Sequence, residues 1–154
     1  MVADSHFARL DIVPVWARFN DELIRLVDYV PDDELNWSPK PELWNFRGIL
    51  LHIAATRYGW MSVDRPESQQ LARDVWRTLR SKAEIQDAYR RSWDYLAPFL
   101  VDEAKLAASY DDEGQIVSGH WIAFHLLEHD IHHRADVFHY LALLGIETPD
   151  VGTP

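Results

Sequence analysis

A chain of 154 residues is long enough to bury one continuous core without covalent staples. It has no cysteine, which excludes disulfides, a thiolate nucleophile of its own and thiolate-held metals, so any metal site must be built from histidine and carboxylates. A formal net charge of -10 at pH 7 argues against nucleic-acid and anionic-membrane surfaces, because both need Lys and Arg to replace counterions.

The opening MVADSHFARLDIVPVW lacks a basic stretch followed by an apolar core, so it does not read as a signal peptide, and the cytoplasm is the expected location. Ile12, Val15, Trp16, Phe19, Leu23, Leu26 and Val27 then follow three- and four-residue steps, the apolar stripe of a first helix. Pro14 makes its beginning less regular, having no N–H to donate. VPDDELNWSPKPELW, with three prolines in a polar stretch, ends it. A second helix is expected from about Trp44 to Val63; DRPESQQ breaks it and LARDVWRTL adds a short helical turn. A third begins near Ser81, where Ser81 and Glu84 have capping-box spacing, and Pro98 should bend or end it.

DDEGQIVSGH reads either as a loop or as a short extended pair leading to a fourth helix near Ser118. That helix carries Ile122, Leu126, Val137, Leu141 and Leu144, and Gly145 stands where a C-cap belongs. ETPDVGTP reads as a loose tail. No segment sustains two-residue alternation with β-branched residues, so a sheet is not expected. The longest apolar runs, such as GILLHIAA, are too short to span a bilayer. Four long amphipathic segments with no repeat or linker predict an all-α fold, a four-helix bundle forming one domain over residues 1–154.

The stretch HLLEHDIHHRADVFHYLALLG, residues 125–145, loads a helix of buried rhythm with histidines. His129 and His133 are four apart and share one helix face. At 100° per residue that face also holds Ile122, Leu126 and Tyr140, so the pair points inward. Two imidazoles on one ion bring their nitrogens to within ~3.5 Å, given metal–nitrogen bonds of about 2.0–2.1 Å, and an i, i+4 pair reaches this with ordinary rotamers. A third ligand must come from elsewhere. His52 is the candidate, because it interrupts GILLHIAATR, a bundle-interior stretch where an unpaired imidazole would be costly.

Asn45, Gly48, Ile49, Thr56 and Gly59 share the face of His52, and the small residues among them leave room beside the ring. His125 and His132 flank the face of the pair and read as neighbours rather than ligands; His120 and His139 lie well away from it. A lone buried histidine is more often a hydrogen-bonded core residue than a ligand, and an isolated H-x-x-x-H arises often by chance. The conjunction of an inward pair with an inward histidine on another helix favours a metal.

GILLHIAATRYGWM together with HLLEHDIHHRADVFHYLALLGIETP resembles the DinB-like family of four-helix-bundle proteins, whose marks are a lone His on the second helix and H-x-x-x-H-R on the fourth. NWSPKPELWNFRGILLHI, with Trp37 and Pro39, is similar to the family's approach to the second helix. The resemblance implies His52, His129 and His133 as ligands of a divalent metal ion. Many members follow H-R with Gly and Gln, whereas Ala135 and Asp136 stand here; Asp136 is near enough to accept a hydrogen bond from a ligand ring or from metal-bound water. Members of known activity include mycothiol-dependent maleylpyruvate isomerase and bacillithiol transferases. The resemblance therefore implies a small-molecule substrate, with a low-molecular-weight thiol as cosubstrate.

Other chemistries find no support. The paired E-x-x-H of ferritin-like di-iron proteins is absent, since Ile131 stands three residues after Glu128. H-E-x-x-H, G-x-S-x-G and a Gly-rich phosphate loop are absent too. Arg90 and Arg91 read as a solvated helix face, and the tryptophans as core packing. Trp60 is the exception, two turns along from His52, where it could wall the pocket mouth.

Three readings follow. In the first, a metalloenzyme, three neutral imidazoles leave an open position on the ion; it acts either as a thiol-dependent transferase or isomerase, or as a hydrolase with Asp136 or His125 accepting a proton. The second is a bundle that binds a small ligand without turnover, and the third a purely structural metal. Imidazole ligation suits Zn, Ni, Fe or Cu, and of these Zn, Ni or Fe is expected. No catalytic residue is assigned. A homodimer is expected from the aromatic-rich helix surface, and neither nucleic acid nor membrane is an expected partner.

Overall fold

The computed structural model describes residues 12–148. The signal-peptide reading of the N-terminal stretch therefore falls largely outside the described residues, as does most of the expected tail. Four long helices form the bundle: α1 (Ile12–Tyr29), α2 (Phe46–Met61), α4 (Lys82–Leu100) and α6 (Gly119–Leu143). Two shorter ones, α3 (Ser68–Thr78) and α5 (Glu103–Ala107), complete the helices of the described residues apart from a 3-10 turn at Asp32–Glu34. α1 and α2 each pack against both α4 and α6, which closes the bundle. Among the described residues, no helix is long and apolar enough to cross a membrane.

The stripe expected on α1 is buried from Trp16 onward, with Phe19, Leu23, Leu26 and Val27, whereas Ile12 and Val15 are exposed. Pro14 is the third described residue of α1 and does not interrupt it. α2 is capped by Asn45, whose side chain accepts from Gly48 N at 2.7 Å. Ser81 and Glu84 form the full capping box of α4, and the helix ends at Leu100, two residues past Pro98.

Two elements differ from expectation. LARDVWRTL is not a single turn but most of the 11-residue α3. Leu71 and Val75, four residues apart, pack it against the core, and Arg80 donates to the carbonyls of Arg77 and Leu79 at its C-terminal end. Of the two readings of DDEGQIVSGH the extended pair is the one observed: a two-stranded antiparallel hairpin, β1 (Ser109–Asp112) and β2 (Gln115–Ser118), which is a minimal sheet where none was expected. Its turn residues Glu113 and Gly114 both have positive φ, 52° and 92°, as a type I′ turn requires. Asp111 Oδ1 accepts from Gly114 N at 2.6 Å to hold it.

The hairpin delivers the chain into α6, which is capped by Ser118. Gly119 begins it because a Cβ there would run into the Lys105 carbonyl and the Leu106 backbone of α5. At the other end Gly145, with φ 71°, closes α6 through Gly145 N to Ala142 O and Ile146 N to Leu141 O.

Candidate metal centre

His52 projects from the middle of α2, and His129 and His133 from successive turns of α6. The three rings converge: one ligand nitrogen from each lies within 4.8 Å of the others. His52 Nε2 and His129 Nε2 are 2.8 Å apart, a hydrogen bond in which one ring donates and the other accepts. Behind the cluster each ring has a polar neighbour at its other nitrogen. Thr56 Oγ1 is 3.4 Å from His52 Nδ1 and Asp136 Oδ2 is 3.0 Å from His133 Nδ1. Asp130 Oδ1 stands 4.0 Å from His129 Nδ1. An imidazole that holds a metal through one nitrogen usually gives the other to such a group.

Two of the rings are held neutral, the charge state a metal needs. Burial, reinforced by His129 and His133, pushes the His52 pKa down to about 4. Burial and His129 also lower His133, against the upward pull of Asp136. A neutral imidazole offers a lone pair without first losing a proton, so these residues fit a divalent cation.

Trp44 covers the cluster. Its ring meets His52 edge-on at 4.5 Å and lies nearly parallel to His133 at 6.2 Å. Trp76, from α3, stands 5.8 Å from Trp44. A cavity of about 390 Å³ runs along Leu43, Trp44, Gly48 and Trp76, and another of about 370 Å³ runs along Trp44, His133, Asp136 and Tyr140. The room left beside His52 by Gly48 is thus taken by Trp44, whose Cβ lies 3.5 Å from where a Gly48 Cβ would be.

Trp60, expected at the pocket mouth, sits instead in an aromatic trio with Trp121 and His125, each 5.4 Å from it. His125 is stacked on Trp121 at 4.9 Å and 7°, and burial and His129 lower its pKa. His132 is exposed, with Nε2 3.7 Å from Asp136 Oδ2; with His133 and Asp136 it forms a second group of ligand-like spacing at the surface. His120 and His139 are exposed. Arg90 and Arg91 are exposed as well, and Arg91 pairs with Asp87 one helical turn earlier.

Sequence reasoning missed Arg57 and Asp130, both fully buried and joined by a 2.7 Å ion pair between α2 and α6. Asp130 Oδ2 accepts from Arg57 Nη2, from Arg57 Nε at 3.1 Å and from Trp16 Nε1 at 3.1 Å. Arg57 Nη1 donates to Asn20 Oδ1 at 2.6 Å and reaches Ser92 Oγ at 3.4 Å. Burial, the largest single influence, would raise the Asp130 carboxyl, but the guanidinium charge, the neighbouring His129 and the hydrogen bonds from Arg57 and Trp16 together hold it below the usual carboxylate range. A signal existed: Asp130 falls four residues after Leu126 on the buried stripe of α6, where a charge demands a partner.

The sequence model of the DinB family matches residues 5–154. Among solved structures the chain is similar to a DinB-like protein from Bacillus subtilis, with a TM-score of 0.70 and 17% identity over 90% of this chain and 95% of that one. It is similar also to a DinB-like protein from Bacillus cereus, with a TM-score of 0.70 and 18% identity over 92% of this chain and 95% of that one. At such identities the likeness is one of fold. No curated protein matches the sequence.

Proposed function

The chain belongs to the DinB family, and from that premise we propose that it is a metal-dependent enzyme acting on a small molecule, with His52, His129 and His133 holding one divalent ion. The observation that carries the reading is the convergence of the three ligand nitrogens within 4.8 Å, from two helices. A divalent ion held by these three imidazoles would supply Lewis acidity and favour the ionised form of a thiol or a water. The protein supplies the rest. Thr56 and Asp136 fix two of the rings from behind, while Trp44 and Trp76 wall the approach with apolar surface. Asp136 also lines the cavity beside His133, where it can accept a proton from an incoming nucleophile.

Thiol transfer or isomerisation is the favoured version. The chain has no cysteine, so a sulfur nucleophile must arrive as a low-molecular-weight cosubstrate, and the aromatic cavities offer it an apolar entry. Hydrolysis is the alternative chemistry at the same residues. A purely structural ion is disfavoured by one observation: α2 and α6 are already tied by the buried ion pair of Arg57 and Asp130.

The test is elemental analysis of protein purified without a histidine tag, then assays of thiol transfer and hydrolysis with that metal restored. One equivalent of metal with turnover that disappears in His52→Ala supports the reading. Protein that takes up no Zn, Ni or Fe at neutral pH would overturn it.

A further inference from the structure

Among the described residues three side-chain hydrogen bonds converge on Asp130, and all of them reach Oδ2: two from Arg57 and one from Trp16. The other oxygen is left over. Among the described residues, the buried side-chain nitrogen and oxygen atoms with no hydrogen-bond partner are Asp130 Oδ1 and His129 Nδ1. They face each other at 4.0 Å, outside hydrogen-bond range. Buried polar groups are almost always satisfied, and two orphans that face one another are a donor and an acceptor waiting for a small approach.

Their chemistry allows one arrangement. A carboxylate oxygen only accepts, so a bare Nδ1 lone pair turned toward it would be repelled, whereas an Nδ1–H is attracted. The His129 proton therefore belongs on Nδ1 and the lone pair on Nε2, the atom that lies 2.8 Å from His52 Nε2. In the metal-free protein His52 Nε2–H then donates that hydrogen bond and Thr56 donates to His52 Nδ1. To offer its Nε2 lone pair, His52 must move its proton to Nδ1, where Thr56 Oγ1 can accept it.

We propose that Asp130, gripped on one oxygen by Arg57 and Trp16, is a positioning residue: its free Oδ1 holds the proton of His129 on Nδ1 and so turns the Nε2 lone pair into the His52 and His133 cluster. The proposal rests on the three-histidine reading for its purpose, though not for its geometry. Arg57 has a double part in it. It keeps the carboxylate charged inside the core, and it fixes which oxygen is free. His133 has the same device in simpler form, with Asp136 behind its Nδ1.

The test uses the full-length protein, zinc as probe, and two readouts. Long-range nitrogen–proton correlation NMR of the metal-free wild type should find the His129 proton on Nδ1, in slow exchange with water. Asp130→Asn keeps the shape of the side chain. If its amide oxygen takes the contacts with Arg57 and Trp16, its NH₂ is left facing His129, a donor where an acceptor stood. The ring should then reverse its tautomer, and zinc affinity should fall about 10- to 100-fold, the usual effect of removing the partner behind a ligand histidine. Trp16→Phe removes one of the three bonds to Oδ2 and keeps both from Arg57, so its loss of zinc affinity should be smaller than that of Asp130→Asn.

A His129 proton on Nε2 in the wild type would overturn the proposal, and that measurement holds even if Asp130→Asn does not fold. So would a folded Asp130→Asn with undiminished zinc affinity, or a Trp16→Phe that loses as much as Asp130→Asn, since the loss would then belong to packing. A wild type with this tautomer that binds no zinc would sink the three-histidine reading and leave the positioning of the ring standing.

Discussion

Two polar groups lie side by side between α2 and α6, and the fold treats them in opposite ways. Around Arg57 and Asp130 everything is sealed: both side chains are 0% exposed, and partners arrive from all four long helices. Trp16 and Asn20 come from α1, Arg57 from α2, Ser92 from α4 and Asp130 from α6. The histidine cluster draws on α2 and α6 alone and lies at the edge of the core, with the His129 and His133 side chains 11% and 16% exposed. Charges can be buried completely only when every one is paired, and that demand is directional, so the sealed group specifies how the four helices meet. The histidine rings do not need such closure and can be left with nitrogens turned toward one another. One group sets the frame; the other is held ready by it.

The largest effect should come from breaking the sealed group. Arg57→Ala or Asp130→Ala leaves a buried charge with no partner, and each should cost about 3–5 kcal/mol in urea unfolding. The double replacement Arg57→Met with Asp130→Leu should recover most of that loss, since neither charge remains to be desolvated. A single variant that cost less than about 1 kcal/mol, the ceiling for an exposed pair, would show that water reaches the site and that the two regions do not differ as described.

The open group should respond in function rather than in folding. His52→Ala, His129→Ala and His133→Ala should each abolish stoichiometric zinc binding while circular dichroism stays near that of the wild type, because the apolar stripes still hold the bundle. If an ion is bound, a chelator should lower the melting temperature of the wild type and leave His133→Ala unmoved. The shift should correspond to about 2.7 kcal/mol when free metal had stood at 100 times Kd. Full metal occupancy in any of the three would remove that residue from the site.

Acid separates the same groups. His52 has its pKa near 4 in the folded chain against 6.5 unperturbed, so between those values the unfolded chain carries the proton that the folded one refuses. Stability of the metal-free protein, measured in chelator, should therefore be unaffected by this residue above pH 6.5 and should fall as the pH drops from 6.5 toward 4. Lowered His125 and His133 act in the same direction. In His52→Ala the slope through that window should be visibly shallower; an unchanged slope would mean that the ring is not desolvated.

The legible parts of this molecule are those that write a local period. Helical spacing located α1, α2, α4 and α6, and capping chemistry marked Ser81 and Gly145, because both depend on residues within a turn or two. The i, i+4 pair His129 and His133 was legible for the same reason, and His52 through its conflict with an apolar stretch. What escaped was set by packing across the bundle. Nothing near Trp44 in the chain says that a residue before the N-cap of α2 will fold over His52, nor that α3 will carry Trp76 alongside it. The pairing of Arg57 with Asp130 joins residues 73 positions apart. Each stands on a buried stripe, yet only the bundle's geometry brings them together. The hairpin was half legible: Glu113 and Gly114 make a turn, but its strands are four residues long and too short for alternation to register.

The smallest effect sharpens the comparison most, because it compares two aspartates behind two rings. Asp130 is buried and has one oxygen immobilised, whereas Asp136 is 37% exposed and accepts from His133 Nδ1 at 3.0 Å with water at hand. Removing a carboxylate behind a ligand histidine lowers metal affinity about 10- to 100-fold, and water that replaces the acceptor restores part of it, so Asp136→Ala should lie at or below the lower end. Asp136→Asn should cost less again. Its amide is free to rotate and present the carbonyl oxygen to Nδ1–H, a choice that the contacts of Arg57 and Trp16 deny to an amide at position 130. Charge works in the same direction: Asp136 raises the His133 pKa, so neutralising it weakens proton competition for the ring and offsets part of the lost orientation. Zinc competition titrations at pH 7.5 on Asp136→Asn and Asp136→Ala, beside Asp130→Asn, should therefore rank the losses from smallest to largest in that order. If Asp136→Asn lost as much affinity as Asp130→Asn, the charge of the carboxylate would matter more than its freedom to turn, and burial would not be what distinguishes the two sides of the site.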